Sequence, residues 1–181
     1  MENDKAAGLI KGSIRTIPDH PKKGILFRDI TTLLKDEVAF RETNENLVSH
    51  SRGFDTFDFV VGIESRGFIF GSVLANRLGK GFIPIRKPGK LPAEVNSVDY
   101  ELEYGTDTVE VHVDAIVKGC RYLVIDDLLA TGGTANASCE LIEKCGGIVV
   151  GCLFVVELPD LKGRKTLKNR VVSSLVQFEG E

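Results

Sequence analysis

No apolar run in these 181 residues approaches the ~18 needed to cross a bilayer, so no membrane-spanning helix is expected. The opening residues, MENDKAAGLIKG, are acidic at the start and lack the apolar core of a secretory signal. Basic excess is missing as well. The 23 Lys and Arg stand against 26 Asp and Glu, a net charge of −3, and neither a nucleic acid nor a membrane surface is an expected partner. The four cysteines, Cys120, Cys139, Cys145 and Cys152, show no C-x-x-C spacing. Three of them sit in apolar surroundings, where a free thiol serves as a small hydrophobe, with a zinc site or disulfides as the lesser alternatives. His20, His50 and His112 share no ligand-like spacing, so no metal role is assigned to them. There is no internal repeat, low-complexity tract or linker-like shift in composition. What remains is 43% hydrophobic and 27% charged. It is expected to fold as one cytoplasmic domain over residues 1–181 that buries roughly 70% of its unfolded surface.

Periodicity supplies the elements. Ala6, Leu9, Ile10, Ile14 and Ile17 recur at near-helical spacing and predict an N-terminal helix over 5–17, followed by a Pro-punctuated loop at 18–24. Asp36 is a good N-cap for a helix over 36–50. Strands and helices then alternate: strand 57–63, helix 68–79 ended by Gly79, strand 81–87, strand 121–126, helix 134–147 and strand 148–158. The last strand is apolar without alternation, as expected of burial on both faces. An edge strand is expected over 171–178. This order predicts an α/β fold, a mostly parallel sheet with helices packed on it. Residues 99–113 break the pattern. They alternate strictly around Gly-Thr-Asp and predict an antiparallel hairpin, either a flap over a site or a pair of extra edge strands.

Ligands of open α/β sheets bind beyond the C-terminal ends of the strands. Three predicted strands end in polar turns, and the third, DDLLATGGT, is the most informative. Its glycines let backbone N–H groups approach an anion, and the next helix adds its positive end. No Lys follows them, so it is not a Walker loop, and it is not a G-x-G-x-x-G fingerprint. An ordinary turn with Thr134 as N-cap is the plain alternative. Asp126 and Asp127 would repel a phosphate unless they hold something else, such as sugar hydroxyls or the waters of a divalent cation. A phosphorylated sugar satisfies both halves of the motif. Its phosphate suits Ala130, Thr131, Gly132, Gly133 and Thr134, and two vicinal ribose hydroxyls suit Asp126 and Asp127.

The same stretch resembles the ribose-5-phosphate-binding signature of type I phosphoribosyltransferases. PKKGILFRDIT (21–31), GIESRGFIFG (62–71), IRKPGKLP (85–92), YELEYGTDTVEVH (100–112), VIDDLLATGGT (124–134) and LKGR (161–164) are similar, in this order, to the adenine phosphoribosyltransferase family. They cover the chain from about residue 14 to near its end. The resemblance implies a twisted parallel sheet with helices on both faces, a hood over residues 1–35 that holds the base, and a flap at 99–113. It also implies the reaction: adenine and 5-phosphoribosyl 1-pyrophosphate (PRPP) give AMP and pyrophosphate, with Mg²⁺ as cofactor. The metal would be held by PRPP and pyrophosphate and by waters near Asp126 and Asp127, with no direct protein ligand.

Roles follow residue by residue from that resemblance. Ser65, Arg66, Arg86, Lys87 and Lys90 match pyrophosphate-binding positions. Family dimers imply a homodimer in which the basic loop 86–90 reaches the neighbouring site through Lys87 and Lys90. Leu26, Phe27 and Arg28 match the adenine pocket, the base being read by backbone groups near Leu26 and Arg28. Glu103, Tyr104 and Arg66 match catalytic positions, and Glu103 is placed to take the proton that adenine loses. The Glu64–Ser65 peptide is expected to be cis, and Glu64 itself stands where many members carry Asp. Taken alone, the basic loop reads equally as solvated surface, Phe27 as core, and Glu101 and Glu103 as solvent-side strand residues. Lys162, Arg164, Lys165 and Lys168 read as a solvated helix face. Three rival functions are weaker. A different base would call for a 6-oxopurine-type lysine segment, which is not recognisable. A PRPP-sensing repressor would need a winged helix, for which the 20 residues before PKKG are too short. A stand-alone phosphosugar-binding module would not need carboxylates on its flap.

Overall fold

Adjacent residues of the buried strands feed two different cores, which is why those strands carry no polar alternation. The computed structural model describes residues 2–102 and 105–180, without the side chains of residues 2–4 and 102. In chain order the elements are α1 (Glu2–Gly12), β1 (Arg15–Pro18), β2 (Leu26–Asp29), α2 (Thr31–Lys35), α3 (Glu37–Ser51), β3 (Phe59–Ile63), α4 (Gly67–Leu78) and β4 (Gly81–Ile85). They continue with β5 (Val95–Leu102), β6 (Gly105–His112), β7 (Arg121–Leu129), α5 (Gly133–Lys144), β8 (Ile148–Glu157), a 3-10 turn (Pro159–Leu161), α6 (Gly163–Thr166) and β9 (Val172–Gln177).

Five strands form a sheet in the order β4-β3-β7-β8-β9, and every pair in it is parallel. On one face Val60, Leu123, Ile125 and Leu153 pack with Phe70 and Leu74 of α4, Leu47 of α3 and Ile10 of α1. On the other, Val61, Val124 and Phe154 pack with Cys139, Leu141 and Ile142 of α5 and with Val109 and Val111 of β6. The chain leaves β3 through α4 to reach β4 on one side, and leaves β7 through α5 to reach β8 on the other. The crevice beyond the C-terminal ends of β3 and β7 is therefore the switch point of the sheet, the place where such folds bind ligands.

The predicted parallel α/β sheet, the Asp36 cap and the Gly79 stop are all present. The Asp36 carboxylate accepts from the amides of Val38 and Ala39, both at 2.9 Å, and Gly79 ends α4 at φ 64°. Four expectations need correction. The first helix stops at Gly12, and Arg15–Pro18 instead forms β1, paired antiparallel with β2, a strand the periodicity did not suggest. The three-residue step from Ile14 to Ile17 suits a helix, but both lie beyond the end of α1, Ile14 in the first core and Ile17 within β1. The hairpin starts at Val95, and Gly105, Thr106 and Asp107 lie inside β6, paired with Leu102, Glu101 and Tyr100, rather than at its turn. Val109 and Val111 are fully buried, so the base of the hairpin is part of the second core. Finally, β7 runs three residues further than expected, which keeps Asp126 and Asp127 within the strand. All four cysteines are free thiols, Cys139 and Cys152 buried, Cys120 and Cys145 half-buried.

Candidate active site

A cavity of ≈ 250 Å³ opens at the switch point, lined by Glu64, Arg66 and Lys87 and by the run from Asp126 to Ala135. Its floor is the end of β7. The Asp127 carboxylate is 2% exposed. The Asp126 Oδ1 atom accepts from the Asp127 amide at 2.8 Å, which fixes the first carboxylate against its own strand. Arg66 Nε stands 3.0 Å from Asp127 Oδ2, yet not in hydrogen-bond geometry, so this buried oxygen has no donor. Burial pushes both carboxyls above the ordinary carboxylate value. Asp126 is pushed furthest because Asp127 lies beside it, and Arg66 opposes the shift in both. The pair titrates as a unit.

The wall of the cavity is the start of α5. Gly132 is its N-cap in the left-handed region at φ 83° and offers no side chain to the first amides. Those amides therefore point into the cavity without a capping partner, an arrangement that favours an anion. Thr134 does not cap the helix as the plain reading had it; its hydroxyl sits 3.0 Å from that of Tyr100. The turn is braced from behind by α6. The Thr166 hydroxyl donates to the Thr131 carbonyl at 2.7 Å, and a Cβ on Gly132 would lie 2.7 Å from the Gly163 carbonyl oxygen. Glycine is thus required there twice over, for its φ and for the close approach. Arg164 of α6 is exposed, as expected, but its guanidinium is not free. It grips the buried Glu157 with two hydrogen bonds, 2.6 and 2.7 Å, and holds that carboxyl below its ordinary value.

Opposite the turn lies the end of β3. The Glu64–Ser65 peptide is cis, as the family resemblance implied. Arg66 follows at the mouth of α4, and Gly67 lets that helix close on β7, since a Cβ there would lie 2.9 Å from Asp126 Oδ1. The predicted pyrophosphate cations divide into three. Arg86 forms a bidentate pair with Glu64 at 3.0 and 3.2 Å, and the Lys87 amide donates to the same carboxylate at 2.9 Å. These bonds, Arg86 foremost, lower the Glu64 pKa. The Lys87 side chain lines the cavity of its own chain and hydrogen-bonds Tyr100 and Asp107. Pro88, Gly89 and Lys90 form the exposed tip of the loop.

The residues expected to form the base pocket, Leu26, Phe27 and Arg28, lie on β2. Phe27 is half-buried, so it is not core; the His20 ring meets it edge-on at 5.1 Å. The Arg66 guanidinium lies 5.8 Å from its ring centroid, which joins β2 to the cavity. Arg28 is buried, donates to the Thr16 hydroxyl and to the Glu179 carbonyl, and packs its guanidinium 4.6 Å from the Phe178 ring. Leu26 is half-buried beside it. Glu103 and Tyr104 lie outside the described residues. Sequence reasoning passed over Tyr100 and Asp107, whose side chains reach Lys87 and Thr134. Strict alternation puts them on a common strand pair, but nothing in it says which side chains face the sheet.

A diacid, one member buried and one half-buried, beside an uncapped helix start at a sheet switch point is the apparatus of a phosphosugar-binding α/β enzyme. The phosphoribosyl transferase domain model matches residues 29–179. The chain belongs to the phosphoribosyltransferase family. Its similarity is to the adenine members. An adenine phosphoribosyltransferase from Chlorobaculum tepidum is 58% identical over 176 residues, 95% of this chain and 99% of that one. The crystal structure of adenine phosphoribosyltransferase from Thermoanaerobacter pseudethanolicus is 53% identical, covers 95% of this chain and 99% of its own, and superposes with a TM-score of 0.92. The Saccharomyces cerevisiae adenine phosphoribosyltransferase, solved with an imino-altritol bisphosphate and adenine, is 38% identical, covers 95% and 99%, and has a TM-score of 0.88.

Proposed function

We infer that this chain transfers the 5-phosphoribosyl group of PRPP to adenine, giving AMP and pyrophosphate, a purine-salvage reaction. The observation that carries the reading is the position of Arg66, between the Asp127 carboxylate at 3.0 Å and the Phe27 ring at 5.8 Å. One cation thus stands where a sugar, a leaving anion and a flat base would meet.

The ligand divides among the groups as follows. The 5-phosphate takes the amides of residues 130–134 and the positive end of α5. The ribose hydroxyls donate to Asp126 and Asp127, the latter offering an oxygen that has no other donor. Ser65, Arg66, Lys87 and Arg86 neutralise the pyrophosphate. The base stacks on Phe27 and is read by backbone near Leu26 and Arg28. Among the described residues β2 pairs only with β1, so its outer edge offers alternate N–H and C=O groups to a heterocycle. In the reaction the bond from C1 to the pyrophosphate oxygen breaks, its electron pair leaving with pyrophosphate. N9 of adenine bonds to C1 and gives up its proton, a task we assign to Glu103, with Tyr104 beside it. The base of the hairpin shields the site from water, which would otherwise intercept the cationic sugar.

Among the described residues no group of three or more His, Cys, Asp and Glu side chains is arranged to cage a metal. The two carboxylates beside a polyanion suit Mg²⁺, which keeps several waters and takes substrate oxygens. When bound, Mg²⁺ supplies charge neutralisation to the pyrophosphate, with Asp126 and Asp127 holding its waters. Two further readings complete the proposal: a single domain with its hood at 1–35, and a cytoplasmic homodimer in which the basic loop 86–90 reaches the neighbouring site. Among the described residues no helix is long and apolar enough to cross a membrane. The test is incubation with adenine, PRPP and Mg²⁺, with AMP and pyrophosphate quantified in equal amounts.

A further inference from the structure

Each of the three cations at the site faces a carboxylate of its own chain: Arg66 faces Asp127, Arg86 faces Glu64, and Lys87 faces Asp107. The first two carboxylates belong to the β7 and β3 ends, but Asp107 is carried by the hairpin strand β6. Lys87 Nζ donates to Asp107 Oδ2 and, at 2.8 Å, to the Tyr100 hydroxyl. The same hydroxyl donates to Asp107 Oδ2 at 2.9 Å and lies 3.0 Å from Thr134 Oγ1. Of the two cations hydrogen-bonded to their carboxylates, Lys87 is more easily taken from its partner than Arg86. Glu64 accepts two bonds from Arg86 and one from the Lys87 amide, and withdrawing Arg86 would leave Oε1 without a donor, Oε2 keeping only the amide. Asp107 would keep both its oxygens satisfied without Lys87, since Oδ1 accepts from the Thr108 amide at 2.8 Å and Oδ2 still accepts from Tyr100. Burial works against the Lys87 ammonium, but Asp107 and Tyr100 outweigh it and its pKa lies above the ordinary lysine value.

We propose that Asp107 sets the affinity of the pyrophosphate subsite, its carboxylate competing with the anionic ligand for the Lys87 ammonium. The inference rests on the assignment of Lys87 to pyrophosphate made above. A polyanion that reaches Lys87 must take it from Asp107 and then lie beside a displaced negative charge. The cost falls on ligands that carry pyrophosphate and spares those that stop short of Lys87. Binding of the leaving group is weakened, and its departure is made easier.

The experiment uses the full chain and two probes, inorganic pyrophosphate and AMP, with dissociation constants measured by calorimetry. Asp107→Asn keeps the Oδ1 acceptor for Thr108 and removes the charge. It is expected to bind pyrophosphate about two- to fivefold more tightly, the size of one partly exposed ion pair, and AMP as before. The gain should vanish in the Asp107→Asn, Lys87→Gln double variant relative to Lys87→Gln alone. A purely structural role would loosen pyrophosphate instead. Weaker or unchanged pyrophosphate binding in a folded Asp107→Asn overturns the inference, as does a gain that survives without Lys87. If that variant does not fold, Asp107→Ser removes the same charge and is held to the same readings. A wild type that makes AMP while these variants fail the test leaves the enzymatic assignment standing. A wild type that neither makes AMP nor binds pyrophosphate overturns that assignment, and this inference with it.

Discussion

Arg66 Nε approaches Asp127 Oδ2 to 3.0 Å without completing a hydrogen bond, leaving a buried carboxylate oxygen that has charge nearby but no donor. An unpartnered buried acceptor is costly in a folded protein unless a ligand supplies its donor. Asp127→Asn is therefore expected to fold and to lose about 10²-fold or more in kcat/KM, the size of losing one electrostatic contact at a reacting centre. Steady-state kinetics alongside a circular dichroism spectrum check it. Wild-type activity in a folded variant would mean that the pair does not hold the sugar.

The diacid should cost stability at neutral pH. Burial disfavours the charged Asp126 and raises its pKa, with Asp127 adding to the shift. A carboxyl whose folded pKa is raised contributes stability fully below its unfolded value of ~3.9 and loses it as pH rises through the folded value. Asp126→Asn retains the acceptor for the Asp127 amide and cannot ionise. Its Tm should exceed that of wild type by about 2–4 °C at pH 7.5, as for ~1 kcal/mol in a chain of this length. The gain should disappear near pH 4. Thermal melts at the two values test the sign, and a variant less stable than wild type at pH 7.5 would refute it.

The hairpin base should behave as core. Val111 is 0% exposed, between the sheet and α5. Val111→Ala should destabilise by about 1.5–3 kcal/mol, from lost burial plus a cavity. The exposed Thr106→Ala, nearer the tip, should stay within about 0.5 kcal/mol. Urea titrations compare them. Equal, small effects would return the ribbon to the status of a detachable flap.

Phe27 should govern how well a base binds but not which one. Its ring is half-buried and offers a flat wall, and both adenine and hypoxanthine are flat. Phe27→Leu should raise the adenine KM while leaving the ratio of kcat/KM for the two bases within about threefold of wild type, since polar discrimination resides in hydrogen bonds. A collapse of the ratio would place selectivity in the ring itself.

The sheet could be read in advance because β3, β7 and β8 are buried on both faces, and such strands leave unbroken apolar runs. The diacid and the glycine turn were equally legible, since Asp126, Asp127 and Gly132 lie within one short stretch whose chemistry is local. The β1–β2 ribbon was not, because the three-residue step from Ile14 to Ile17 mimics a helix, and the partner strand lies beyond a loop. The pairing of the exposed Arg164 escaped for a related reason. Its partner Glu157 ends a different element, and only tertiary packing brings the two within 2.6 Å. Tyr100 and Asp107 escaped in the same way, their contacts with Thr134 and Lys87 crossing three separate segments.

The most direct test measures kcat/KM for adenine and for hypoxanthine with PRPP and Mg²⁺ in one assay. Adenine presents a donor at its exocyclic N6 and an acceptor at N1, and hypoxanthine reverses both. A pocket that pairs backbone groups with the adenine edge leaves two of its groups unpaired against hypoxanthine, at ~1–3 kcal/mol each. The expected result is AMP formation with a preference for adenine of about 10²–10⁴. Absence of AMP, or use of hypoxanthine within tenfold of adenine, would contradict the account.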